Sequence, residues 1–349
     1  WASGLVSYSP SSYFNFQVGH GKNFIGDGYR SLLLSDNSMN YFFFKIQTKI
    51  WKLKYTNTFS SMMNYYPFAP NDDKFQKKFN VFHYLSMIIG KRIEFSLFEG
   101  IVNSDTTVLS GFDVNFLNPV IFYHSLGLNI GSPANTIIGT NLKFKLSDKI
   151  HLYNQLIIDD LDIEHMQEGK GYMANKFGYQ FGLRIFDLFK IKNFNIRLEY
   201  NQVDPYVYAH KTPTKNYSHY NQPLAHPLGA NFKESVNIVS YRLHNFIFKF
   251  QYNYALYGAD TANSNWGKNI FITEYDASRG YLAFGNTVLQ GVKTNLGYAK
   301  LSLMYFLNPK TNMHIYIDYI KRDLSNERGI LKQADLITFG FRTLLYNNY

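Results

Sequence analysis

Phe246-Ile-Phe-Lys-Phe-Gln-Tyr-Asn-Tyr254 decides how this chain folds. Phe246, Phe248, Phe250, Tyr252 and Tyr254 take every second position, and Lys249, Gln251 and Asn253 stand between them. Successive side chains of a β-strand point to opposite faces, so a period of two puts rings on one face and polar groups on the other. The same sorting recurs along the chain. Phe194, Ile196, Leu198 and Tyr200 alternate with Asn195, Arg197, Glu199 and Asn201. Phe177, Tyr179, Phe181, Leu183 and Ile185 alternate with Lys176, Gly178, Gln180, Gly182 and Arg184. Near the end Ile337, Phe339 and Phe341 face away from Thr338, Gly340 and Arg342, in the manner of the aromatic-rich closing strand of membrane barrels. A soluble β-sandwich buries one face of each strand and solvates the other. It does not need rows of aromatic and aliphatic side chains on nearly every strand, whereas a wall set in hydrocarbon does.

Composition agrees. Of 349 residues, 18% are aromatic, with 29 Tyr and 31 Phe, and 17% are charged, below the ~25% typical of soluble domains. No run of about eighteen apolar residues exists, which excludes helical membrane spans. A barrel escapes that test because its lipid-facing and lumen-facing side chains alternate. With no cysteine, disulfides and cysteine-bound metal are excluded. The formal net charge of +10 fits either a solubilising surface or an anionic partner.

Connections of two kinds alternate between these runs. Short turns are expected at Gly90-Lys91, Ser147-Asp148, Phe189 to Asn193, Leu243 to Asn245 and Asn308 to Asn312. Long polar segments are expected at about 20–40, 64–78, 102–134, 159–174, 205–235, 258–290 and 322–334. Short periplasmic turns and long extracellular loops are the habit of outer-membrane barrels. Residues 41–62 hold no Gly or Pro, yet the apolar phase flips at Ile50-Trp51, so a tight turn is predicted near Lys49 to Lys52. This gives about fourteen strands from residue 13 onward and one more near Ser3 to Tyr8. The expected class is all-β: one transmembrane antiparallel outer-membrane β-barrel domain over 1–349, of about 14–18 strands, with long loops partly folded over the lumen. Such barrels have even strand numbers, and the chain starts at Trp1 rather than Met, so further N-terminal strands are expected upstream.

Opposite the apolar rows lie Lys45, Lys49, Lys52, Lys54, Lys143, Lys145, Lys176, Arg184, Arg197, Lys249, Lys300 and Arg342, against Glu94, Glu199 and Asp318. A charge facing lipid at mid-depth costs ~2–4 kcal/mol, so these groups are expected to face the lumen. A basic lumen favours anions; a packed interior with local ion pairs accounts for it equally well.

Motifs that look chemical do not hold up. Gly19-His20-Gly21-Lys22-Asn23 fails as a phosphate loop, since Phe16 stands where the first glycine belongs and Asn23 where Ser or Thr belongs. Gly26-Asp27-Gly28 lacks the third glycine of a dinucleotide fingerprint. Asp159, Asp160, Asp162 and Glu164 could hold calcium, but without EF-hand spacing they read as an exposed loop tip. His210, His219 and His226 match no common zinc spacing. Four prolines between Pro205 and Pro227 argue instead for a rigid loop, and Tyr206, Tyr208, Tyr217 and Tyr220 beside Asn216, Asn221 and Gln222 carry the chemistry of carbohydrate recognition or of a folded lid. Nothing fixes a nucleophile beside a base, so no enzyme, cofactor or metal is expected.

The stretch Phe16-Gln-Val-Gly-His-Gly-Lys-Asn-Phe-Ile-Gly-Asp-Gly-Tyr-Arg-Ser-Leu-Leu-Leu-Ser-Asp36 resembles the signature of capsule-assembly Wzi-like outer-membrane proteins, and more closely their gliding-motility-associated branch. His219-Tyr-Asn-Gln-Pro-Leu-Ala-His-Pro-Leu-Gly-Ala-Asn-Phe232 resembles a second signature of that branch. Asn118-Pro-Val-Ile-Phe122 and Leu126 to Asn135 resemble a weaker third. The resemblance implies a monomeric barrel in the outer membrane of a Gram-negative bacterium that engages capsular or extracellular polysaccharide without enzymatic action. The implied ligand residues are His20, Lys22, Asn23, Asp27 and Arg30 in the first signature, and His219, Asn221, Gln222, His226 and Asn231 in the second. Their alternative role is to lock the loops over the barrel by hydrogen bonds. Expected partners are outer-membrane lipid and lipopolysaccharide, acidic polysaccharide, and other envelope proteins, with no nucleic acid. A porin-like channel, or a subunit of a gliding-motility or secretion machine, is the competing reading.

Overall fold

Alternating side chains and short turns produce one antiparallel meander. The computed structural model describes residues 2–65, 75–104, 114–123, 125, 134–261, 263–273, 275, 282–327 and 329–343. Its strands are β1 (Gly4–Tyr8), β2 (Phe14–Gly21), β3 (Tyr41–Ile50), β4 (Leu53–Tyr65), β5 (Phe75–Ile89), β6 (Ile93–Asn103), β7 (Asn135–Lys145), β8 (Ile150–Asp160), β9 (Lys176–Ile185) and β10 (Phe194–Val203). After β11 (Ser218–His219) and β12 (Gln222–Pro223) come β13 (Phe232–Leu243), β14 (Phe246–Ala259), β15 (Val292–Asn308), β16 (Met313–Asn326) and β17 (Gly329–Arg342). All but β11 and β12 join in chain order into a 15-stranded sheet; those two form a small hairpin of their own. Strand number therefore matches the reading from alternation, and β1 supplies the additional strand at its expected place.

The aromatic rows face outward. Phe248 and Phe250 are 44% and 45% exposed and Phe339 is 86% exposed, which a protein surrounded by water does not sustain over a whole wall. Neighbouring rings add to the row, as where Phe246 lies beside Phe248 and Tyr305. The fold is that of a transmembrane outer-membrane barrel, with short turns at the periplasmic end and long loops at the extracellular end. The turn deduced from the phase flip is real: Ile50 pairs with Leu53 across Trp51 and Lys52, and Trp51 takes a left-handed backbone (φ 54°).

Two expectations need correction. Residues 322–326 and 329–334 are strand and not loop, because β16 and β17 stay paired from His314–Arg342 to Asn326–Gly329. Their polar residues mark strands that run on past the hydrocarbon, where alternation no longer has to be apolar. In the same way the segments read as 64–78 and 205–235 are shortened by β5 and β13, which begin at Phe75 and Phe232.

The second correction concerns the outer wall. It is not aromatic throughout: on β4, β5 and β6, Asn57, His83 and Glu99 lie on the outward face and are buried. Glu99 meets His83 at 3.0 Å and accepts from the backbone N–H of Phe122 (2.8 Å) and Ser125 (3.2 Å). The Ser125 hydroxyl also donates to Glu99, and the Tyr55 hydroxyl donates to the carbonyl of Pro119. Phe116 packs with Phe59, Val81 and Ile101 beside this pair. The weaker sequence signature at 118–122 thus lies across the outside of the barrel and covers a polar seam; 126–133 fall outside the described residues.

Candidate functional site

Inside the sheet, the two stronger signatures meet as a plug. Residues 22–40 leave β2 and turn into the lumen, and Leu32, Leu33 and Leu34 are fully buried there among Val203, Val207, Tyr208, Tyr217 and Leu224. Three consecutive leucines in a polar loop are thereby explained: they are a core, walled by polar strand faces. Tyr208 and Tyr217 stack at 5.6 Å, and their hydroxyls donate to the carbonyls of Leu32 (2.8 Å) and Leu33 (2.7 Å). The backbone joins the two segments where Ser35 N–H donates to the Leu224 carbonyl (2.8 Å).

Polar side chains in mid-strand hold this plug to the wall. Glu199 on β10 accepts from Tyr29 N–H (2.6 Å), Arg30 N–H (3.1 Å), the Tyr153 hydroxyl (2.7 Å) and Asn201 Nδ2 (3.0 Å). Gln155 on β8 accepts from Leu32 N–H (2.9 Å), and Gln180 on β9 donates to the Arg30 carbonyl (3.1 Å). Gly26 and Gly28 make the approach feasible. A Cβ on Gly26, whose φ is +126°, would stand 1.9 Å from Gln155 Nε2, and one on Gly28 would stand 2.4 Å from Gln180 Oε1. The glycines that mimic a dinucleotide motif therefore let backbone lie against the barrel wall. Lys78 on β5 anchors the second segment, donating to the carbonyl and Oδ1 of Asn216 (both 2.7 Å) and to the Ser218 carbonyl (3.2 Å).

The implied ligand residues separate into two environments. His20 is exposed on the outward face of β2, its Nδ1 3.0 Å from the Ala2 carbonyl oxygen. Lys22 is exposed and donates to the Asp36 carbonyl (2.9 Å). Asn221 is exposed and donates to the Tyr65 carbonyl (2.8 Å); Gln222 is half-buried beside it in β12. The others lie within the plug. Asn23 is buried and its N–H donates to the Tyr41 hydroxyl (3.2 Å). Asp27 pairs with Lys143 (2.8 Å) and accepts from Asn141 (2.9 Å). Arg30 reaches Glu234 at 3.6 Å, and His226 reaches the same carboxylate at 2.6 Å. His219 accepts from Met63 N–H at Nδ1 (3.0 Å) and lies 3.1 Å from the Asn40 carbonyl at Nε2. Asn231 donates to the carbonyls of Gly258, Trp266 and Gln290 (3.0, 3.1 and 2.9 Å) and accepts from Leu289 N–H (2.7 Å).

Burial opposes charge on the plug histidines. It brings His210 and His219 each down to about 4, and it lowers His226 despite the pull of Glu234. The three sit apart, and among the described residues no three His, Asp or Glu side chains gather as metal ligands. The acidic run is also dispersed rather than a loop tip. Asp159 accepts from Tyr208 N–H (2.6 Å), Asp160 lies 3.9 Å from Lys176, and Asp162 caps the short helix α1 (Ile163–Gln167) through His165 N–H (3.0 Å).

Beside α1 a cleft of 360 Å³ opens among the extracellular loops, lined by His165, Tyr172, Asn175, Asp204, Tyr206 and Asn286. Tyr172 stacks on His165 at 4.3 Å with Phe284 against it at 5.1 Å. Burial pushes Asp204 up to about 6. Rings, amides and one carboxyl make a surface suited to hydroxyl-rich rings. Sequence reading missed this cleft because its parts come from three loops, and it missed Lys78 because 64–78 reads as loop. Gln155, Gln180, Asn201 and Glu234 had a signal available: they are polar residues at the lumen-facing positions of long strands.

No family model and no curated protein matches the sequence. Solved structures do match. The carbohydrate-binding outer-membrane β-barrel Wzi of Escherichia coli, involved in group 1 capsule assembly, aligns over 97% of this chain and 69% of its own, at 13% identity and a TM-score of 0.64. OprD of Pseudomonas aeruginosa aligns over 99% of this chain and 81% of its own, at 11% identity and a TM-score of 0.49. OccD3 of the same organism aligns over 95% and 75%, at 12% identity and 0.47. At these identities the likeness is one of fold, and it is to the outer-membrane β-barrel architecture that the chain is similar.

Proposed function

We propose that this barrel is a non-enzymatic surface receptor that attaches or assembles capsular or extracellular polysaccharide, of the Wzi-like kind and its gliding-motility-associated branch. The observation that carries the reading is the plug. The two signature segments bury a leucine and tyrosine core inside the sheet, which supports a platform at the extracellular end rather than a passage. In this reading the buried residues Asn23, His219, His226 and Asn231, with the half-buried Asp27 and Arg30, hold that platform, while Lys22, Asn221 and Gln222 face the ligand and the cleft at Tyr172 adds further rings and amides. The net charge of +10 favours an acidic polymer. The solved relative with carbohydrate binding and capsule assembly in its description supports the reading through fold alone.

The test is a glycan array that includes acidic polysaccharides, run with the wild type and with Lys22→Glu. Binding of an acidic polymer that falls at least fivefold in the variant is expected. Absence of binding, together with steady ion conductance in planar bilayers, would refute the proposal in favour of a channel. Deletion of the gene, scored for capsule retention and for surface spreading, separates a polysaccharide role from membership of a gliding or secretion machine.

A further inference from the structure

We propose that the periplasmic half of the lumen is a second binding site, for a short acidic oligosaccharide, anchored on the β3–β4 hairpin. It lies below the plug and so is independent of any ligand on the outer face. A cavity of 560 Å³ opens there at the short-turn end, lined by Lys49, Lys52, Lys54, Asn15, Gln47 and Ser86. That size falls within the ~300–1,000 Å³ usual for ligand sites.

The charges are arranged against the stability of the bare barrel. Lys49 and Lys54 are direct cross-strand partners, and like charges opposite each other in a ladder repel. Arg184 and Arg197 repeat the arrangement on β9 and β10. Among the described residues none of Lys45, Lys49, Lys54, Arg184 or Arg197 has an ion-pair partner. The acid that lines the cavity, Glu94, faces Lys143 at 3.8 Å, and Lys143 is held by Asp27 at 2.8 Å. One sign of charge in a cleft with low-dielectric walls concentrates anions. A polyanion bound in the cavity would relieve the Lys49–Lys54 repulsion.

The rest of the lining selects the kind of anion. Ser9, Ser11 and Ser12 bring hydroxyls and Tyr13 and Trp51 bring ring faces to the same cavity. Hydroxyls and amides that both donate and accept, beside aromatic faces, suit sugar rings better than a bare inorganic ion. The cavity opens at the short-turn end of the strands, so the ligand reaches it from the periplasmic side.

Calorimetric titration of the full chain in detergent tests this, with trigalacturonate as probe, maltotriose as the neutral comparison and inorganic phosphate as competitor. Trigalacturonate should bind the wild type, weaken at least tenfold in the Lys49→Gln/Lys54→Gln double variant, and be unchanged in Lys332→Gln on the exposed β16–β17 hairpin. Maltotriose should not bind. Removing the repulsion should also raise the melting temperature of the unliganded double variant, which shows at once that it folds. Equal affinity in wild type and double variant, no binding to the wild type, or complete displacement by millimolar phosphate would each overturn the proposal.

Discussion

Glu199→Gln is the sharpest probe of how the plug is held. The carboxylate takes two backbone N–H groups of the first segment, one on each oxygen: Tyr29 on Oε2 and Arg30 on Oε1. An amide keeps the shape but turns one oxygen into a donor, so whichever way it sits, one of these N–H groups faces an NH₂. A buried donor left unsatisfied costs about 2 kcal/mol, which multiplies the ratio of displaced to seated plug roughly thirtyfold. Tyr153 can rotate its hydroxyl to accept and so adds little to that cost. Glu199→Ala strips both N–H groups and the Tyr153 and Asn201 donors of their acceptor, for about 4 kcal/mol and roughly a thousandfold. The strands stay paired in both variants, so the effect should appear in the plug and not in barrel unfolding. Two readouts apply: channel openings in planar bilayers, and trypsin cleavage after Arg30, whose side chain is 29% exposed while its backbone is tied to the wall. Openings and cleavage should rise in the order wild type, Gln, Ala. If folded Gln and Ala variants both match the wild type, Glu199 is not what seats the segment and the reasoning fails.

Other perturbations follow from the same geometry. Asn231 sits at φ +55° and ties the Gly258 carbonyl at the end of β14 to two loop carbonyls; Asn231→Ala should lower stability by about 3 kcal/mol, and Asn231→Gly by about 1 kcal/mol less, since glycine accepts the left-handed backbone. Thermal unfolding of the pair of variants checks the order, and equal losses would show that backbone strain plays no part. Gly26→Ala drives a methyl into Gln155 and should expose residues 22–40 to protease while leaving the strand signal in circular dichroism unchanged. Acid should loosen the plug. His210 and His219, ordinarily near 6.5 and held at about 4, contribute stability that is complete above 6.5 and lost as pH falls toward 4, with His226 shifted the same way. Asp204, raised from 3.8 to about 6, acts oppositely, adding stability below 3.8 that is lost as pH rises through 6. Histidines outnumber it, so protease sensitivity of residues 204–231 should increase between pH 7 and pH 4.5; a flat profile would contradict these shifts.

Most of the wall was legible because hydrocarbon and lumen impose opposite chemistry on alternate residues. That contrast located strand after strand, and even the Ile50–Leu53 reversal, where no turn residue announces itself. It failed where the contrast lapses. Past the membrane the β16–β17 hairpin is polar on both faces and reads as loop. On β4 to β6, Asn57, His83 and Glu99 break the outward row because a distant segment covers them, a fact that no local window contains. Residue types in the plug were readable, but Leu32 pairing with Tyr208, or Asn231 with Gln290, joins positions far apart in the chain. Sequence could suggest that the loops lock; only the three-dimensional arrangement says onto which strands.

The buried His83–Glu99 seam has a bearing on how the barrel meets lipid. A bare carboxylate on that flank would confront acyl chains at a cost, which the shielding residues 114–123 and Ser125 remove. The shield is donated by the connection between β6 and β7, which follows all three strands in the chain. The lipid-facing surface of this side is therefore complete only where that connection lies over the wall, so a loop and three strands share one boundary with the bilayer.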